Sequence, residues 1–532
     1  MQKAAHRADK FFRGRDCGFA FYFYAFHFAC RKPIRRKAFF ACGNKNAFAT
    51  RQAAAQSAIS DIFALKKSLR PIMLLAMKTL LCALLLSAVA TAFCRDVYVS
   101  SSSGSDSNDG SKDAPYKTIA AAPKTGANIF LKRGDVFYEQ LRDFADCNID
   151  AYADGAPPQI CGLRIVENPD AWVKMPNGIW RIDMLDEKNF GGMRDSSDRS
   201  KLNIGAVYDM SSDKIYGHLV WRLSALNSDG DFFAAEGPWA KGPDVAARGH
   251  KFRYLYFKFP ENPSAGGRKI AFVTASHGIS GLKNCTVKNV AVKGFGLHGV
   301  CNARNCRFDS LDIDLIGGSI QAGYGGGYVR FGNGIEFWIT SKNPANGNRV
   351  TNCRVSRTYD CGATIQGISD GDLLAKDISF SNNVFYRCRQ AFEHFLRSKN
   401  GGSVAYENCE FSDNLAYQCG DNEFSCPETR DAALLSHRDL AGASLVVKNN
   451  TFWDSNGYFA TKFPAAFKGN SFYVRKGQYL LASHLPDDKP LWADSPADVE
   501  EFKKLFPSND VIFIGPENQK VGEEILKKAA RK

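Results

Sequence analysis

The stretch that decides the fold is NCTVKNVAVKGFGLHGVCNARNCRFDSLDI, residues 284–313, in which Asn-Cys twice precedes a β-branched or aromatic run. Related pairs recur with spacings of 21, 47, 30, 26, 41 and 20 residues. Intervals of 20 and 21 residues match one turn of a parallel β-solenoid, 47 matches about two turns, and the others match one turn plus a loop. The sequence therefore predicts stacked coils about 4.8 Å apart. The pairs begin at Asn284, Asn305, Asn352, Asn382, Asn408, Asn449 and Gly469.

Within such coils, Asn in a bend can bond to its neighbours, and Cys fills a small interior position. We therefore interpret the Cys of these pairs as ladder packing rather than as metal ligands or nucleophiles. Twelve of the 16 cysteines follow residue 92, so disulfides are open to consideration, although sequence does not assign them. The short-range candidates are Cys301/Cys306, Cys147/Cys161 and Cys419/Cys426.

The formal net charge of +14 belongs to the start of the chain. Residues 1–76 hold 15 Lys and Arg against three Asp, whereas residues 93–532 hold 53 basic and 52 acidic residues. We read residues 1–76 as a mis-assigned upstream extension or a long leader. The nearly neutral remainder gives no electrostatic reason to bind nucleic acid.

A secretory signal peptide is predicted at residues 77–92. Met77-Lys78-Thr79 opens the apolar run LLCALLLSAVATA, which is too short for a membrane span and ends in small residues. The expected location is therefore secreted, periplasmic or at the cell surface. The processed chain is expected to have no membrane span and to be a monomer.

The segment that follows resembles a known family. Asp96-Val-Tyr-Val-Ser, Gly104-Ser-Asp106-Ser-Asn108-Asp109-Gly110 and Gly134-Asp135-Val-Phe137 look like the opening of secreted right-handed parallel β-helix proteins of the pectate-lyase-like superfamily. The likeness covers most of residues 96–475. It implies an all-β, right-handed parallel β-helix that binds or cleaves polysaccharide, but this superfamily supports several reactions on one scaffold.

Two regions depart from the coil pattern. Residues 165–275 carry four of the tryptophans and alternating strand patterns, and predict a β-rich insertion between coil regions at 96–164 and 276–480. In residues 481–532, Ser495-Pro496-Ala-Asp498 predicts a helix start, and Val511–Ile514 predicts a strand. This small C-terminal cap would cover the last coil.

Three segments align on a common bend, and strand alternation then assigns their side chains to two faces. They are Gly334-Ile-Glu336-Phe-Trp338, Gly362-Ala-Thr364-Ile-Gln366 and Ala391-Phe-Glu393-His-Phe395. Glu336, Thr364 and Glu393 would share one exterior column, with the two glutamates about 9–10 Å apart at the backbone. Paired carboxyl groups in this range suit an inverting glycosidase, with one acid and one base in either order. Solvated surface is the alternative, and a one-residue slip would turn both glutamates inward.

Other residues would complete this centre. Asp360 precedes the middle strand and is the assisting carboxylate; Trp338 and Phe395 offer flat faces for sugars, and Gln366 offers hydrogen bonds. His298 is either a substrate ligand or a bend-stabilising residue. Arg389 either binds an acidic sugar or is solvated, and His394 is expected to be a hydrogen-bonded core residue. The loop Gly323-Tyr-Gly-Gly-Gly327 would overhang the groove.

The favoured function is a glycoside hydrolase acting on a polysaccharide, without a cofactor or metal. A polysaccharide lyase is the first alternative, with Arg330, Arg357, Arg389 or Lys376 as base. It would require Ca²⁺ or another cation, for which Asp360, Asp370, Asp372 and Glu393 are the available ligands. A non-catalytic glycan-binding or adhesive surface protein is the second alternative.

Overall fold

The computed structural model describes residues 95–190, 202–235, 252–321, 329–420, 424, 432–436, 445–460, 464–482 and 489–530. The predicted leader, the signal peptide and the loop at 323–327 lie outside these residues. Among the helices that the structure describes, none has the length and apolar character needed to cross a membrane.

Three ten-stranded sheets form the body of the described chain, and the backbone visits them in turn. Sheet 1 contains β1 (Arg95–Val99), β2 (Ala127–Lys132), β5 (Asn148–Tyr152), β16 (Thr286–Lys288), β19 (Arg307–Asp309), β22 (Arg349–Thr351), β25 (Leu373–Ser381), β28 (Val404–Ser412), β31 (Val446–Lys448) and β34 (Ala466–Lys468). Sheet 2 contains β3 (Val136–Phe137), β6 (Gln159–Cys161), β17 (Ala291–Lys293), β20 (Asp312–Ile316), β23 (Arg354–Thr358), β26 (Val384–Tyr386), β29 (Leu415–Tyr417), β32 (Thr451–Trp453), β35 (Ser471–Val474) and β38 (Asp510–Phe513). Sheet 3 contains β4 (Leu141–Arg142), β15 (Ile279–Ser280), β18 (Val300–Cys301), β21 (Ile335–Trp338), β24 (Cys361–Ser369), β27 (Gln390–Ser398), β30 (Leu434–Ser436), β33 (Tyr458–Ala460), β36 (Tyr479–Ala482) and β37 (Leu491–Trp492).

Neighbouring strands of these sheets run parallel, apart from the antiparallel pair β36 and β37 at one edge. Because each turn of the chain adds one strand to each sheet, the protein is a parallel β-helix, as the sequence predicts. Inward-facing residues from all three sheets form one continuous apolar core. Its phenylalanines stack between neighbouring turns, with ring centroids 4.8 Å apart for Phe452 and Phe472, which pair across β32 and β35.

The repeating Asn pairs come from two different corners of the coil. Asn284 and Asn305 lie at the corner before sheet 1, whereas Asn352 and Asn382 lie at the corner between sheets 1 and 2. All four adopt φ values of 51–56°, a left-handed conformation that Asn tolerates better than most residues. Because Arg307 of β19 pairs directly with Arg349 of β22, the interval from Asn305 to Asn352 holds one turn and a change of corner. The prediction of two turns in this interval is wrong.

A buried asparagine ladder runs along the second corner. The side-chain oxygen of each member accepts the backbone N–H of the preceding member at 2.9–3.0 Å. These bonds satisfy amide groups that the bend removes from the sheets, so the ladder stabilises the corner. The sequence repeat missed two of its members, Asn414 and Asn509. The ladder comprises Asn383, Asn414, Asn450, Asn470 and Asn509.

The repeat cysteines are buried, as predicted, and the proposed disulfides are not formed. Cys301 and Cys306 are free thiols, and so are Cys147 and Cys161. Cys419 is also free, while its suggested partner Cys426 lies outside the described residues. The physical reason is that the corner thiols fill interior positions of the coil and bond to backbone carbonyls, as Cys306 does with Arg304 at 3.2 Å.

Two antiparallel sheets lie between β6 and β15 in the chain. One contains β7 (Arg164–Val166), β10 (Ile204–Asp209), β11 (Lys214–Tyr216) and β14 (Ile270–Thr274). The other contains β8 (Trp172–Met175), β9 (Ile179–Asp183), β12 (Phe232–Ala235) and β13 (Tyr254–Lys258). They share an apolar core of their own. The buried guanidinium of Arg330 joins these sheets to the coil, because it donates to the carbonyls of Gly205, Gly217 and Gly318.

The C-terminal region contains two helices. Helix α1 (Pro496–Leu505) begins after Ser495, whose hydroxyl accepts the N–H of Asp498, so the predicted helix start is confirmed. Phe502 of this helix packs against Phe472 of the coil core. Helix α2 (Gln519–Ala530) follows β38 and was not foreseen. Single 3₁₀ turns occur at Ile119–Ala121, Pro169–Ala171, Pro176–Gly178, Glu187–Phe190, Leu223–Ala225, Ala265–Gly267 and Pro516–Asn518.

Candidate functional site

The predicted column of acidic side chains exists in sheet 3. Glu336 of β21 pairs in register with Thr364 of β24, which in turn pairs with Glu393 of β27. We call these three residues the acidic column. The residues on either side, among them Phe337 and Ile365, are fully buried in the coil core, so the acidic column is on the opposite face. The predicted register is therefore confirmed, and both glutamates point away from the core.

Glycines fix this register. Gly334 directly precedes β21, and Gly362 is the second residue of β24. The carbonyl of the following coil lies close to where a side chain would be at either glycine. An added Cβ at Gly334 would sit 2.6 Å from the carbonyl oxygen of Gly362, and one at Gly362 would sit 2.9 Å from that of Ala391. The lack of a side chain at these positions lets neighbouring coils approach and stay aligned.

Nitrogen donors surround one oxygen of Glu336. Asn333 Nδ2 donates to Oε2 at 2.8 Å and Gln366 Nε2 donates at 2.9 Å, while His298 Nε2 lies 3.5 Å away. Only 12% of the Glu336 side chain is exposed. An ionised carboxylate accepts hydrogen bonds and donates none, so this environment suits Glu336 as a carboxylate.

A second column of polar residues precedes the bend glycines. His277 stacks on His298 with ring centroids 5.4 Å apart, and His298 Nδ1 accepts the backbone N–H of Asn333 at 3.2 Å. Nδ1 is therefore unprotonated and Nε2 carries the proton in neutral His298, which directs an N–H toward Glu336. Burial, and secondarily His298, lower the pKa of His277 to about 3, so this ring is neutral.

The column continues to a buried thiol beside Glu393. Cys361 Sγ lies 3.0 Å from Oε2 of Glu393 and 2.7 Å from Oε1 of Gln390. Burial raises the pKa of this thiol well above its ordinary value, and the charges of Asp360 and Glu393 raise it further. Cys361 therefore remains a protonated hydrogen-bond donor.

Asp360 lies directly before β24, where the sequence placed it, and close to Glu393. One ligand atom from each of Asp360, Cys361 and Glu393 lies within 4.8 Å of the others. This cluster could hold a metal ion by its geometry. Its sulfur donor favours a soft ion over Ca²⁺, which prefers oxygen ligands.

The predicted sugar-contacting residues also share a register, but two of them are more enclosed than an open groove requires. Trp338, Gln366 and Phe395 pair across β21, β24 and β27. Trp338 is half-buried, whereas Gln366 and Phe395 are each only 6% exposed. Glu393 is 5% exposed. The alternative interpretation as solvated surface therefore does not describe Gln366, Phe395 or Glu393. Strand alternation indicates which face a side chain is on and not what covers that face.

The three arginines and the lysine considered as lyase bases have other partners. Arg330 donates hydrogen bonds to backbone carbonyls, and Arg357 bonds to Asp314 and Asp213. Lys376 pairs with Glu407 on the exposed face of sheet 1, away from the acidic column. Arg389 lies near the site, with its guanidinium 5.9 Å from the centre of the Tyr359 ring, and its positive charge acts to lower the pKa of Cys361 against the larger effect of burial. The Arg330 guanidinium lies 4.3 Å from the centre of the same ring.

The structure also places Asp370, Asp372, Asp106 and His394. Asp370 and Asp372 are exposed beyond the far end of the site strands, and Asp372 accepts the N–H of Ser403. They do not join Glu393. Asp106 accepts hydrogen bonds from the backbone N–H groups of Lys117 and Thr118, so its segment forms a hydrogen-bonded turn. His394 points inward and bonds to Tyr458 at 2.8 Å, which confirms it as a core histidine.

Sequence reasoning missed Asn333, Cys361 and Gln390 at this site. Each directly precedes a residue of the glycine bend, as His298 does. A column drawn one residue before Gly299, Gly334, Gly362 and the equivalent Ala391 would have found them. The site thus combines one carboxyl group among N–H donors with a second beside Asp360 and a thiol, about two strand spacings away.

Comparisons with known proteins give a limited result. No protein-family model and no curated protein matches the chain. Among solved structures, it is similar to a GH136 lacto-N-biosidase from Eubacterium ramulus, with 13% identity, coverage of 79% of this chain and 68% of that chain, and a TM-score of 0.33. It is also similar to XylC in complex with xylose, with 9% identity, coverage of 79% of this chain and 82% of that chain, and a TM-score of 0.33. A third similar structure is PfbA, a surface adhesin of Streptococcus pneumoniae, with 10% identity, coverage of 65% of this chain and 82% of that chain, and a TM-score of 0.21. Such low identities and TM-scores assign no activity to this chain.

Proposed function

We propose that this protein is a glycoside hydrolase that cleaves a polysaccharide with inversion at the anomeric carbon. The observation that carries the proposal is the register of the acidic column, in which one strand separates Glu336 from Glu393. Two strand spacings amount to about 9.6 Å at the backbone. Inverting enzymes hold their carboxyl groups about 6.5–9.5 Å apart to admit a water molecule, whereas retaining enzymes need about 5–5.5 Å.

The surroundings of the two glutamates assign their roles. Glu336, among N–H donors from Asn333, Gln366 and His298, is the base that activates water. Glu393 lies within 4.8 Å of Asp360 and beside a thiol that keeps its proton. Of the two glutamates, Glu393 is then the acid, and Asp360 assists it.

Hydrolysis then proceeds in one displacement. Water attacks the anomeric carbon as the bond from that carbon to the leaving oxygen breaks. Glu336 takes a proton from the water, and Glu393 gives its proton to the leaving oxygen. Trp338 and Phe395 would stack on sugar rings, and Arg389 would orient the substrate from the side of Asp360.

The experiment is a glycan-degradation screen of the full chain that reads new reducing ends and unsaturated uronides separately. Glu336→Gln and Glu393→Gln should each lower turnover by about 10²–10⁴-fold and retain glycan binding. NMR of the first product should show the inverted anomer. Unsaturated uronides would establish a lyase instead, and binding without any turnover by the wild-type protein would establish a glycan-binding protein.

A matched control separates the site from general damage to the fold. Glu407→Gln changes a glutamate of β28, which like β27 has nine residues, but this glutamate pairs with Lys376 on the exposed face of sheet 1. Its turnover should equal that of the wild type. Equal losses in all three variants would contradict the assignment of Glu336 and Glu393.

Export is part of the same proposal, because an enzyme that cleaves an extracellular polysaccharide has to reach it outside the cytoplasm. Its support is the predicted signal peptide at residues 77–92. N-terminal sequencing of the secreted or periplasmic protein should find a start close to Phe93. A product that keeps residues 77–92 and stays in the cytoplasm would contradict export without affecting the assignment of the catalytic pair.

A further inference from the structure

The middle residue of the acidic column has an unsatisfied hydroxyl. Thr364 is completely buried, and its Oγ1 has no hydrogen-bond partner. Buried polar atoms are nearly always bonded, and an exception calls for a specific explanation such as an ordered water or a ligand. The nearby donor Gln366 Nε2 does not serve it, because that amide donates to Glu336.

The backbone at Thr364 does not require this hydroxyl. Its strand neighbours Ala363 and Ile365 are core residues, and a β-branched side chain suits a strand. Valine would fill the same volume without a polar atom. A threonine here therefore introduces a donor and an acceptor that the protein itself leaves unused.

The position of this hydroxyl is specific. Thr364 is paired with Glu336 on one side and Glu393 on the other, each about 4.8 Å away at the backbone. The charged and titratable groups that face this place are Glu336 and His298 on one side and Glu393, Asp360 and Cys361 on the other. A water molecule bonded to Thr364 would lie between the two carboxyl groups.

We propose that Thr364 Oγ1 holds the water molecule that attacks the sugar. This inference rests on the proposed hydrolase function and adds the residue that positions its nucleophile. The hydroxyl bonds to the water and is unchanged by the reaction. Glu336 receives the proton that the water loses, and the water oxygen bonds to the anomeric carbon while Glu393 protonates the leaving oxygen.

The test compares Thr364→Val, which removes the hydroxyl at nearly constant shape, with Thr364→Ser, which keeps it. Thr364→Val should lower kcat by about 10²-fold with KM unchanged, as expected when a group acts on the reacting atoms rather than on substrate binding. Its melting temperature should equal or exceed that of the wild type, because the lost hydroxyl bonds to no protein group. Thr364→Ser should keep kcat within a few-fold.

Thr358→Val is the matched control for stability. Thr358 is equally buried, but its hydroxyl donates to the carbonyl of Asp360 at 2.9 Å. This variant should melt at a lower temperature than the wild type. If Thr364→Val also melts lower, or if it keeps wild-type kcat, the hydroxyl is structural and the inference fails. A raised KM with unchanged kcat would show that Thr364 binds sugar rather than water.

A high-resolution crystal structure of the wild-type protein tests the water site without reference to activity. It should show an ordered water within hydrogen-bond distance of both Thr364 Oγ1 and a carboxyl oxygen of Glu336. An empty position there would overturn the inference even if the protein hydrolyses a glycan. If the protein cleaves no glycan and the water is present, the proposed function fails and the water site stands.

Discussion

Nε2 of His298 lies 3.5 Å from Oε2 of Glu336, across two neighbouring turns of the coil. Because Nδ1 of the same ring accepts the Asn333 N–H, the imidazole is held in one tautomer and one orientation. We predict that His298→Ala lowers kcat by about 10–10²-fold, since Glu336 loses a positioned N–H partner. Steady-state kinetics on the glycan identified by the screen would measure this.

The control for that prediction is His394→Gln. His394 bonds to Tyr458 in the core, on the opposite face of the same sheet. Its replacement should lower the melting temperature and leave kcat of the folded protein unchanged. A His298→Ala variant with the same profile would mean that His298 supports the bend only.

The buried asparagine ladder should dominate the stability of its corner. Asn450→Ala removes the acceptor of two Asn414 N–H bonds and the donor to the Phe411 carbonyl. Each buried polar group left unpaired costs about 1–3 kcal/mol, so we expect a loss of more than about 3 kcal/mol in the free energy of unfolding. Denaturant titration would measure it.

Asn128→Ala is the comparison for the ladder. Asn128 also links neighbouring turns, through Asp96 and Asn148, but on the exposed surface of sheet 1. Because water replaces those bonds, the change in unfolding free energy should stay within about 0.5 kcal/mol. Similar losses in both variants would contradict a special role for the buried ladder.

A charge network connects the antiparallel sheets with the coil, and it is largely buried at Arg357 and Asp314 but exposed at Asp213. Arg357 bonds to Asp314 of β20 and to Asp213, which follows β10 in the chain. Burial alone would raise the pKa of Asp314, but Arg357, Lys293 and Ser356 lower it to about 2. We predict that Arg357→Met lowers the unfolding free energy by about 3–5 kcal/mol at neutral pH, because it leaves this carboxylate under-compensated.

The same network predicts a pH dependence. A carboxyl group with a lowered pKa in the folded state contributes stability above its unfolded pKa of about 3.9, and that contribution disappears as the pH falls toward 2. The difference between wild type and Arg357→Met should therefore shrink below pH 4. Unfolding midpoints at pH 7 and pH 3 would measure it, and a constant difference would contradict the pairing.

His277 predicts a second pH effect, in a different range. Its pKa is lowered from 6.5 to about 3, so the unfolded chain binds a proton that the folded chain does not between these values. Stability is then complete above about pH 6.5 and falls as the pH decreases. The loss relative to His277→Gln should approach about 1.4 kcal/mol per pH unit below 6.5. Parallel stability curves for the two proteins would contradict a neutral, buried His277.

The register of the acidic column was predictable because local signals agree. Gly334 and Gly362 mark equivalent bends, and apolar residues at alternate positions, such as Ile335 and Phe337, fix the inward face. A shift by one residue would bury a glutamate in a phenylalanine-lined core. The coil and this column could therefore be derived from sequence.

The two separate corners of the coil, the burial of the site and the partners of its arginines could not be predicted, because they depend on contacts between residues far apart in the sequence. Two corners share the same left-handed backbone conformation and the same preference for Asn, so the sequence merged them into one repeat. Segments far away in the chain bury Glu393, and they also supply the backbone carbonyls to which Arg330 donates hydrogen bonds. Periodicity carries no information about such long-range packing.

Turn length varies while the pairing of strands does not. Successive positions in sheet 1, from Thr286 to Ala466, are 21, 42, 30, 31, 36 and 20 residues apart, yet they remain in register. Extra residues are accommodated at the corners, outside the strands. Insertions and deletions there can change the surroundings of the acidic column during evolution without moving Glu336 relative to Glu393.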